Sequence, residues 1–327
     1  MKKVAVGIVG VGHLGLAHAK KYSAIKETEL VGFWDTDQLV RENIETELEI
    51  KPAGSLDALL ERVEAVSIVV PTTSHTSIAL AAAEKGVHLF VEKPIASSLK
   101  EADDIINAAA RHGVKLQVGH IERFNPAFRL LQDEVVDPRF IESHRLAAFN
   151  PRGLDVSVVL DLMIHDIDVI LKLTGSPVSR IDASGVGIVS ENFDIVNARL
   201  TFENGAVANI TASRISQKKM RKMRLFQKDG YISMDFISGE TEIFSIEDAG
   251  THFADTDIMP ILDLSHQDIH KIVGYRKIRN DGRDSLELEL RSFIDAIQNN
   301  TAPPVTGEEA RTALAVALEI IDKTTGN

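Results

Sequence analysis

From residue 4 to about residue 120, short and nearly unbroken apolar runs alternate with segments of helical spacing, and no other feature of this 327-residue chain restricts its fold as strongly. VAVGIVGVG, ELVGFWD, AVSIVVP, VHLFVEKP and VKLQVGH lack the in–out alternation of a half-solvated strand. Such strands suit a parallel sheet whose two faces are both covered by helices. Between them HLGLAHAKKYSAI, LDALLERV, HTSIALAAAEKG and KEADDIINAAARHG carry helical spacing, and Gly86 and Gly113 follow the last two as helix stops. Strand, helix, strand repeated in this way predicts an α/β, doubly wound domain over residues 1–120.

Beyond residue 121 the pattern changes. LTFENGAVANIT places Asn204-Gly205 between alternating strands, and RLFQKDGYISMDF repeats the arrangement around Asp229-Gly230, so antiparallel hairpins are expected. VSVVLDLMIHDIDVILKL precedes them as a helix, and LELELRSFIDAIQN and GEEARTALAVALEII follow as two more. The expectation is a second, α+β domain over 121–327 with a large, mostly antiparallel open sheet that binds substrate and supports oligomerisation. Two domains suit the length, because single cores stop growing near roughly 250–300 residues. The 36 basic and 48 acidic side chains give a formal charge of −12, which argues against nucleic acid as a partner. No run of about 18 apolar residues offers a membrane span, and the glycine-rich start does not read as a signal peptide, so a cytoplasmic protein is expected. With no cysteine, disulfides and thiolate chemistry are excluded.

The first turn reads GVGHLG, in which Gly10, Gly12 and Gly15 stand between a predicted strand and a predicted helix. In that setting glycines allow a tight turn and close approach of a pyrophosphate to backbone N–H groups at the helix start. Asp35 closes the second strand 20 residues after Gly15, where a carboxylate can take ribose hydroxyls and would repel a 2′-phosphate. This is a Rossmann fingerprint, and it points to NAD rather than NADP. His18, inside the first helix, is read as a packing or capping residue rather than a base. Ligands of such sheets bind at the carboxyl ends of the strands, so Pro71-Thr72 and Glu92-Lys93-Pro94 are expected to face the cofactor crevice.

GxGxxG, then PTxxH, then AxxAxxxGxHxxxEKP, then DxxxH, resembles the Gfo/Idh/MocA family of NAD(P)-dependent sugar and inositol oxidoreductases over nearly the whole chain, down to PPVTGEEA. The resemblance implies a catalytic Lys93, often followed by a cis bond to Pro94, an acid–base His165, and Asp161 as its partner. It implies an NAD site built from Gly10, Gly12, His13, Leu14, Gly15, Asp35, Pro71, Thr72, His75, Glu92 and Lys93. Substrate is expected against Lys93, Arg123, Asn125, Asp161, His165 and Arg214. On an α-helix Asp161, His165 and Asp168 would share a face; Asp166 and Asp168 also suit capping and salt-bridging. No third metal ligand is evident, and no metal is expected.

SRISQKKMRKMRLF gathers Lys218, Lys219, Arg221, Lys222 and Arg224 on one predicted strand of an acidic chain. It is either a strand edge protected by charge or a positive wall for a diphosphate. Within the family, GHIERFNPAFR, DLMIHDIDVI and this cluster resemble the branch that oxidises C3 of UDP-N-acetylglucosamine for later amination in lipid A precursor synthesis. A dehydrogenase of free sugar or inositol, and a non-catalytic NAD- or sugar-binding regulator, are the alternatives. A homodimer or homotetramer is expected.

Overall fold

A computed structural model describes residues 2–131, 134, 136–149, 156–189, 192–248, 257–264, 266 and 270–325. The chain divides into two compact units, Met1–Phe124 with Asp284–Ala315, and Asn125–Arg283 with Val316–Asn327.

The first unit runs β1 (Val4–Val9), α1 (His13–Ala24), β2 (Thr28–Trp34), α2 (Gln38–Leu48), α3 (Leu56–Leu60), β3 (Ala65–Ile68), α4 (His75–Glu84), β4 (His88–Glu92), α5 (Leu99–His112) and β5 (Leu116–Gly119). Its five strands are all parallel, in the order β2-β1-β3-β4-β5. This is the doubly wound sheet expected. Chain direction reverses sideways at β1 and β3, so the crevice at their carboxyl ends is the natural ligand position. Val6, Ile8, Val66, Ile68, Leu89 and Val91 are fully buried, and each such side chain contributes about 1.5–3 kcal/mol to the sandwich of sheet and helices. Asp37 caps α2 by accepting the N–H groups of Leu39 and Val40, and Ser98 caps α5 through the N–H of Glu101. Gly113 ends α5 with φ 67°, a conformation that other residues resist.

The second unit contains α6 (Pro126–Arg129), β6 (Phe140–Leu146), α7 (Ile164–Thr174), β7 (Val178–Val186), β8 (Ile195–Phe202), β9 (Val207–Ser213), β10 (Met220–Gln227), β11 (Gly230–Asp235), β12 (Glu240–Asp248), β13 (Met259–Asp263) and β14 (Lys271–Ile278). They form a nine-stranded sheet, β13-β14-β12-β11-β10-β6-β9-β8-β7, antiparallel except for the β6/β9 pair. Both hairpins expected from Asn-Gly and Asp-Gly are present, β8–β9 with Gly205 at φ 83° and β10–β11 with Gly230 at φ 151°. The last helices are α8 (Ser285–Gln298) and α9 (Gly307–Thr325).

The division differs from one at 120/121 chiefly in residues 284–315. Leu290, Phe293 and Ile294 of α8 complete the core of the first unit together with Val6, Ile8 and Phe33. An amphipathic stripe records that a helix covers something apolar; it does not record which sheet.

Candidate active site

At the carboxyl end of β1, Gly10 turns with φ +85°, and a Cβ there would collide with the Val69 carbonyl. A Cβ on Gly15 would strike the carbonyl of Gly10, whereas one on Gly12 would meet nothing within 4 Å. Gly10 and Gly15 are therefore required by close packing, and Gly12 leaves open space above the turn. The start of α1 carries no side-chain cap. Its first N–H groups are thus suited to an anion such as a pyrophosphate.

A pocket of about 530 Å³ lies beside this turn. Gly10, Gly12, Asp35 and Pro71, expected among the cofactor contacts, line it together with Trp34, Thr36, Val69, Val70, Ser74 and Ser77, which the sequence reading did not single out. Their signal was positional, since Trp34 and Thr36 flank Asp35 and Val69 and Val70 prolong β3. His13 and Leu14 are exposed on the first turn of α1, outside that lining, and Thr72 is half-buried next to Pro71. The Asp35 carboxylate is fixed by two backbone donors, Val11 N–H at 2.8 Å and Asp37 N–H at 3.0 Å. A carboxylate held in this way at a strand end is a preorganised acceptor. The turn, the uncapped helix start and this carboxylate together fit NAD.

At the end of β4 the Lys93-Pro94 peptide is cis, and Lys93 is half-buried. The Glu92 carboxylate accepts the Lys93 backbone N–H at 3.2 Å and lies 3.1 Å from Nε2 of His18. It rests on Gly119, where a Cβ would come within 2.8 Å of Glu92 Oε1. His18 is fully buried and packs edge-on against Phe90 at 5.4 Å, so it is the packing residue expected. Tyr22, one turn further along α1, shares a hydrogen bond of 3.0 Å with Ser67. Burial, with the Glu289 and Glu92 charges behind it, pushes the Tyr22 phenol well above its ordinary range. His75 and Glu92, expected among the cofactor contacts, direct their side chains instead to main-chain groups and to His18.

In the second unit, residues 159–163 wind as a π-helix before α7 begins. This corrects the expectation of one uninterrupted α-helix, because the wider turn shifts Asp161 relative to the face of α7. Asp161 and Leu162 line a pocket of about 260 Å³ with Arg214, Lys219, Arg221 and residues 146–148. His165 is half-buried on the first turn of α7, and Asp168 is buried. Asp166 is a salt-bridging residue, as one reading of the sequence had it. It receives Nε and Nη2 of Arg145 at 3.0 and 2.9 Å, and both partners are almost wholly buried. Such a pair fixes the register of α7 on β6.

Two expected substrate donors are occupied elsewhere. Asn125 caps α6 through the Ala127 N–H at 3.1 Å and donates to Phe236 O at 2.9 Å. Arg123 is 7% exposed and 3.8 Å from Glu309 within its own unit. Arg214 is buried, donates from Nη2 to Val156 O at 2.6 Å and lines the pocket. The cationic run does not act as one wall. Arg221 opposes Arg145 across β10/β6, on the face that α7 covers, with Met223 and Leu225. Lys222 and Arg224 alternate onto the other face, where Lys222 lies 3.4 Å from Asp235.

Residues 4–120 match the oxidoreductase family with an NAD-binding Rossmann fold, and residues 134–233 match the GFO/IDH/MocA C-terminal domain. The chain is 36% identical to UDP-N-acetylglucosamine 3-dehydrogenase of Acidithiobacillus ferrooxidans over 326 residues, covering 98% of this chain and 97% of that protein. A solved structure of that enzyme superposes with a TM-score of 0.88 at 35% identity, over 100% and 99% of the two chains. Myo-inositol 2-dehydrogenase of Thermotoga maritima is 25% identical over 330 residues, 94% of this chain and 92% of that protein.

Proposed function

The chain belongs to the Gfo/Idh/MocA family of NAD-binding oxidoreductases, and from that premise we propose that it oxidises the C3 hydroxyl of UDP-N-acetylglucosamine to a ketone. The observation that carries this reading is the pocket of the second unit, where Arg214, Lys219 and Arg221 gather beside Asp161 in a protein of net charge −12. A diphosphate needs such a cationic lining; a free hexose or an inositol needs hydroxyl-matching amides and no concentration of positive charge.

NAD would be held by the Gly10–Gly15 turn, Asp35 and Pro71, and supplies the acceptor for the hydride. The chain's own residues manage the proton and the oxygen. Oxidation of a CH–OH group releases one proton along with the hydride, and alcohols lose it only to a positioned base. His165 takes that proton, Asp161 orients it, and the Lys93 ammonium stabilises negative charge developing on the oxygen. The product is a 3-keto sugar, a substrate for amination, and we place the reaction in the cytoplasm on the route to lipid A precursors. We further propose a homodimer or homotetramer, which sedimentation would establish.

The test is NADH formation from UDP-N-acetylglucosamine compared with myo-inositol and free glucose. The nucleotide sugar should be preferred, and Lys93→Met and His165→Ala should each lower kcat by about 100-fold or more with NAD affinity little changed. Equal or better turnover of inositol or glucose would overturn the substrate assignment. Binding of NAD without turnover of any of the three would favour the regulator.

A further inference from the structure

Lys93 is flanked on both sides by groups that lie against two buried histidines. Before it, Glu92 lies against His18 and accepts the Lys93 N–H, as described above. After it, the carbonyls of Pro94 and Ile95 lie 3.1 and 3.3 Å from Nδ1 of His75. The other nitrogen of the same ring, Nε2, is 3.0 Å from the carbonyl of Val70. His75 is 1% exposed, at the first turn of α4. Its ring therefore joins two strand-end segments of one sheet, the one that follows β3 and lines the cofactor pocket and the one that carries Lys93 beyond β4.

All three partners are carbonyl oxygens, which only accept, so every contact requires the ring to donate. A neutral imidazole has one N–H and satisfies one side; an imidazolium satisfies both. Burial holds the ring below the ordinary histidine range, while the three carbonyls and the Glu92 charge draw it back upward. A histidine that merely filled space could be apolar. This one lies within hydrogen-bond distance of main chain at both nitrogens, between the segments that follow the adjacent strands β3 and β4.

We propose that His75 is a positioning residue for Lys93, a buried ring clamped between the Val70 carbonyl and those of Pro94 and Ile95 that donates its N–H to one side and sets the spacing of the other, and so fixes where the Lys93 ammonium is presented. The proposal rests on reading Lys93 as the group that meets the substrate oxygen. Misplacement of a reacting group by about 1 Å is enough to cost on the order of 100-fold in rate, so a backbone clamp on this loop acts on kcat rather than on binding.

The test uses the full-length NAD-bound protein with His75→Ala and His75→Asn. Asparagine retains a donor near the Nδ1 position and cannot span to Val70. With NAD and no sugar, hydrogen exchange should quicken at Val69, Val70 and Thr72 and at Lys93, Ile95 and Ala96 in His75→Ala, with α5 unchanged, and added imidazole should slow it again. With UDP-N-acetylglucosamine, kcat should fall about 10- to 100-fold in His75→Ala and less in His75→Asn, while KM and NAD affinity stay within about threefold. Imidazole should restore a large part of the lost kcat. Unchanged exchange at those amides overturns the clamp, as does a kcat loss in both variants that imidazole does not recover. If His75→Ala does not fold, His75→Asn carries both measurements. The exchange experiment needs no sugar, so a wild-type chain that fails to oxidise UDP-N-acetylglucosamine would sink the substrate assignment and leave the clamp to be decided by exchange.

Discussion

The two sheets solve the placement of charge in opposite ways. In the five-stranded sheet both faces are covered, the interiors of β1, β3, β4 and β5 carry no charge, and the charged groups of the site stand where strands end, as with Asp35, Glu92 and Lys93. Each carboxylate there is tied down by backbone N–H groups or a buried histidine. In the nine-stranded sheet α7 packs on one face of β6 and β9, and the opposite face carries half-exposed aromatic rings. Phe140, Phe226, Tyr231, Phe244 and Tyr275 run across five strands with centroid separations of 5.9, 5.6, 4.2 and 5.1 Å. Charge sits within these strands and the pleat sorts it by parity, so Arg145 and Arg221 go to the helix side and Lys222 and Arg224 to the other. The lesson is that strand-end charge is placed by topology, whereas mid-strand charge is placed by register, and a register slip of one residue would exchange the two sets.

The comparison breaks most severely at the buried pair. Asp166→Ala leaves the Arg145 guanidinium buried without its bidentate partner, and the free energy of unfolding should fall by about 3–5 kcal/mol. Urea denaturation of this variant beside Asp235→Ala measures the contrast, because the half-exposed Lys222–Asp235 pair is worth about 0–1 kcal/mol. Similar losses in the two variants would show that register does not separate the faces energetically.

Gly119→Ala probes the first sheet, since the added methyl must displace the Glu92 carboxylate from its place beside the Lys93 N–H. Overpacking at such a site costs about 1–3 kcal/mol. Turnover should fall together with stability, and Gly54→Ala, where an added Cβ meets nothing within 4 Å, should leave both unchanged.

Sorting by the pleat is sharpened by paired neutralisations on β10. Arg221→Met should raise KM for UDP-N-acetylglucosamine about tenfold with kcat little altered, the pattern of lost ground-state binding. Lys222→Met, one residue away on the opposite face, should change KM by less than about twofold. Equal effects would restore the picture of a single cationic wall.

The smallest effect concerns pH. His88 accepts the Lys115 N–H on Nδ1 at 2.9 Å, which requires that nitrogen to be unprotonated. Burial, aided by the Lys115 charge, holds His88 below its ordinary value of 6.5. The unfolded chain then binds the proton more readily than the folded one, so this contribution is complete above 6.5 and is lost as pH falls below it. Unfolding free energies from urea denaturation at about pH 7.5 and about pH 5.5 should differ by under about 1 kcal/mol from this group. His88→Gln, which can still accept the Lys115 N–H, should reduce that difference. His75, lowered in the same sense, adds to the slope in the wild type.

How much was legible follows the same division. The five parallel strands announced themselves because a strand buried on both faces leaves a continuous apolar run. The segment Gln38–Leu48 did not, since α2 packs on the core through one narrow row, Val40, Ile44 and Leu48, of which only Ile44 is buried, and that row is faint among the polar residues around it. Gly10, Gly12 and Asp35, which line the pocket of the first unit, were singled out from a turn whose backbone geometry demands particular residue types at particular spacing, and Pro71 from its place after a buried strand. Asn125 and Arg123, expected at the substrate, lie against protein groups in the structure, and a polar side chain beside a domain boundary looks alike in sequence whether it caps a helix, approaches a distant carboxylate or meets a ligand. The π-turn through Asp161 had no sequence signal at all, because widening one helical turn changes no residue type.

By itself, then, the sequence determined what depends on neighbours along the chain: the strand–helix alternation, the glycine turn and its acidic companion, both hairpin turns, and the strand-end position of Lys93. Only the tertiary structure decided what depends on partners far away in sequence. It chose which sheet α8 covers, which carbonyls His75 joins, which of five adjacent cations face Asp161, and that Arg145 rather than solvent neutralises Asp166. Local pattern is set by the periodicity and steric freedom of adjacent residues, which a string of letters records. The fate of a polar side chain is set by which groups remain to satisfy it once water has been removed, and folding alone settles that.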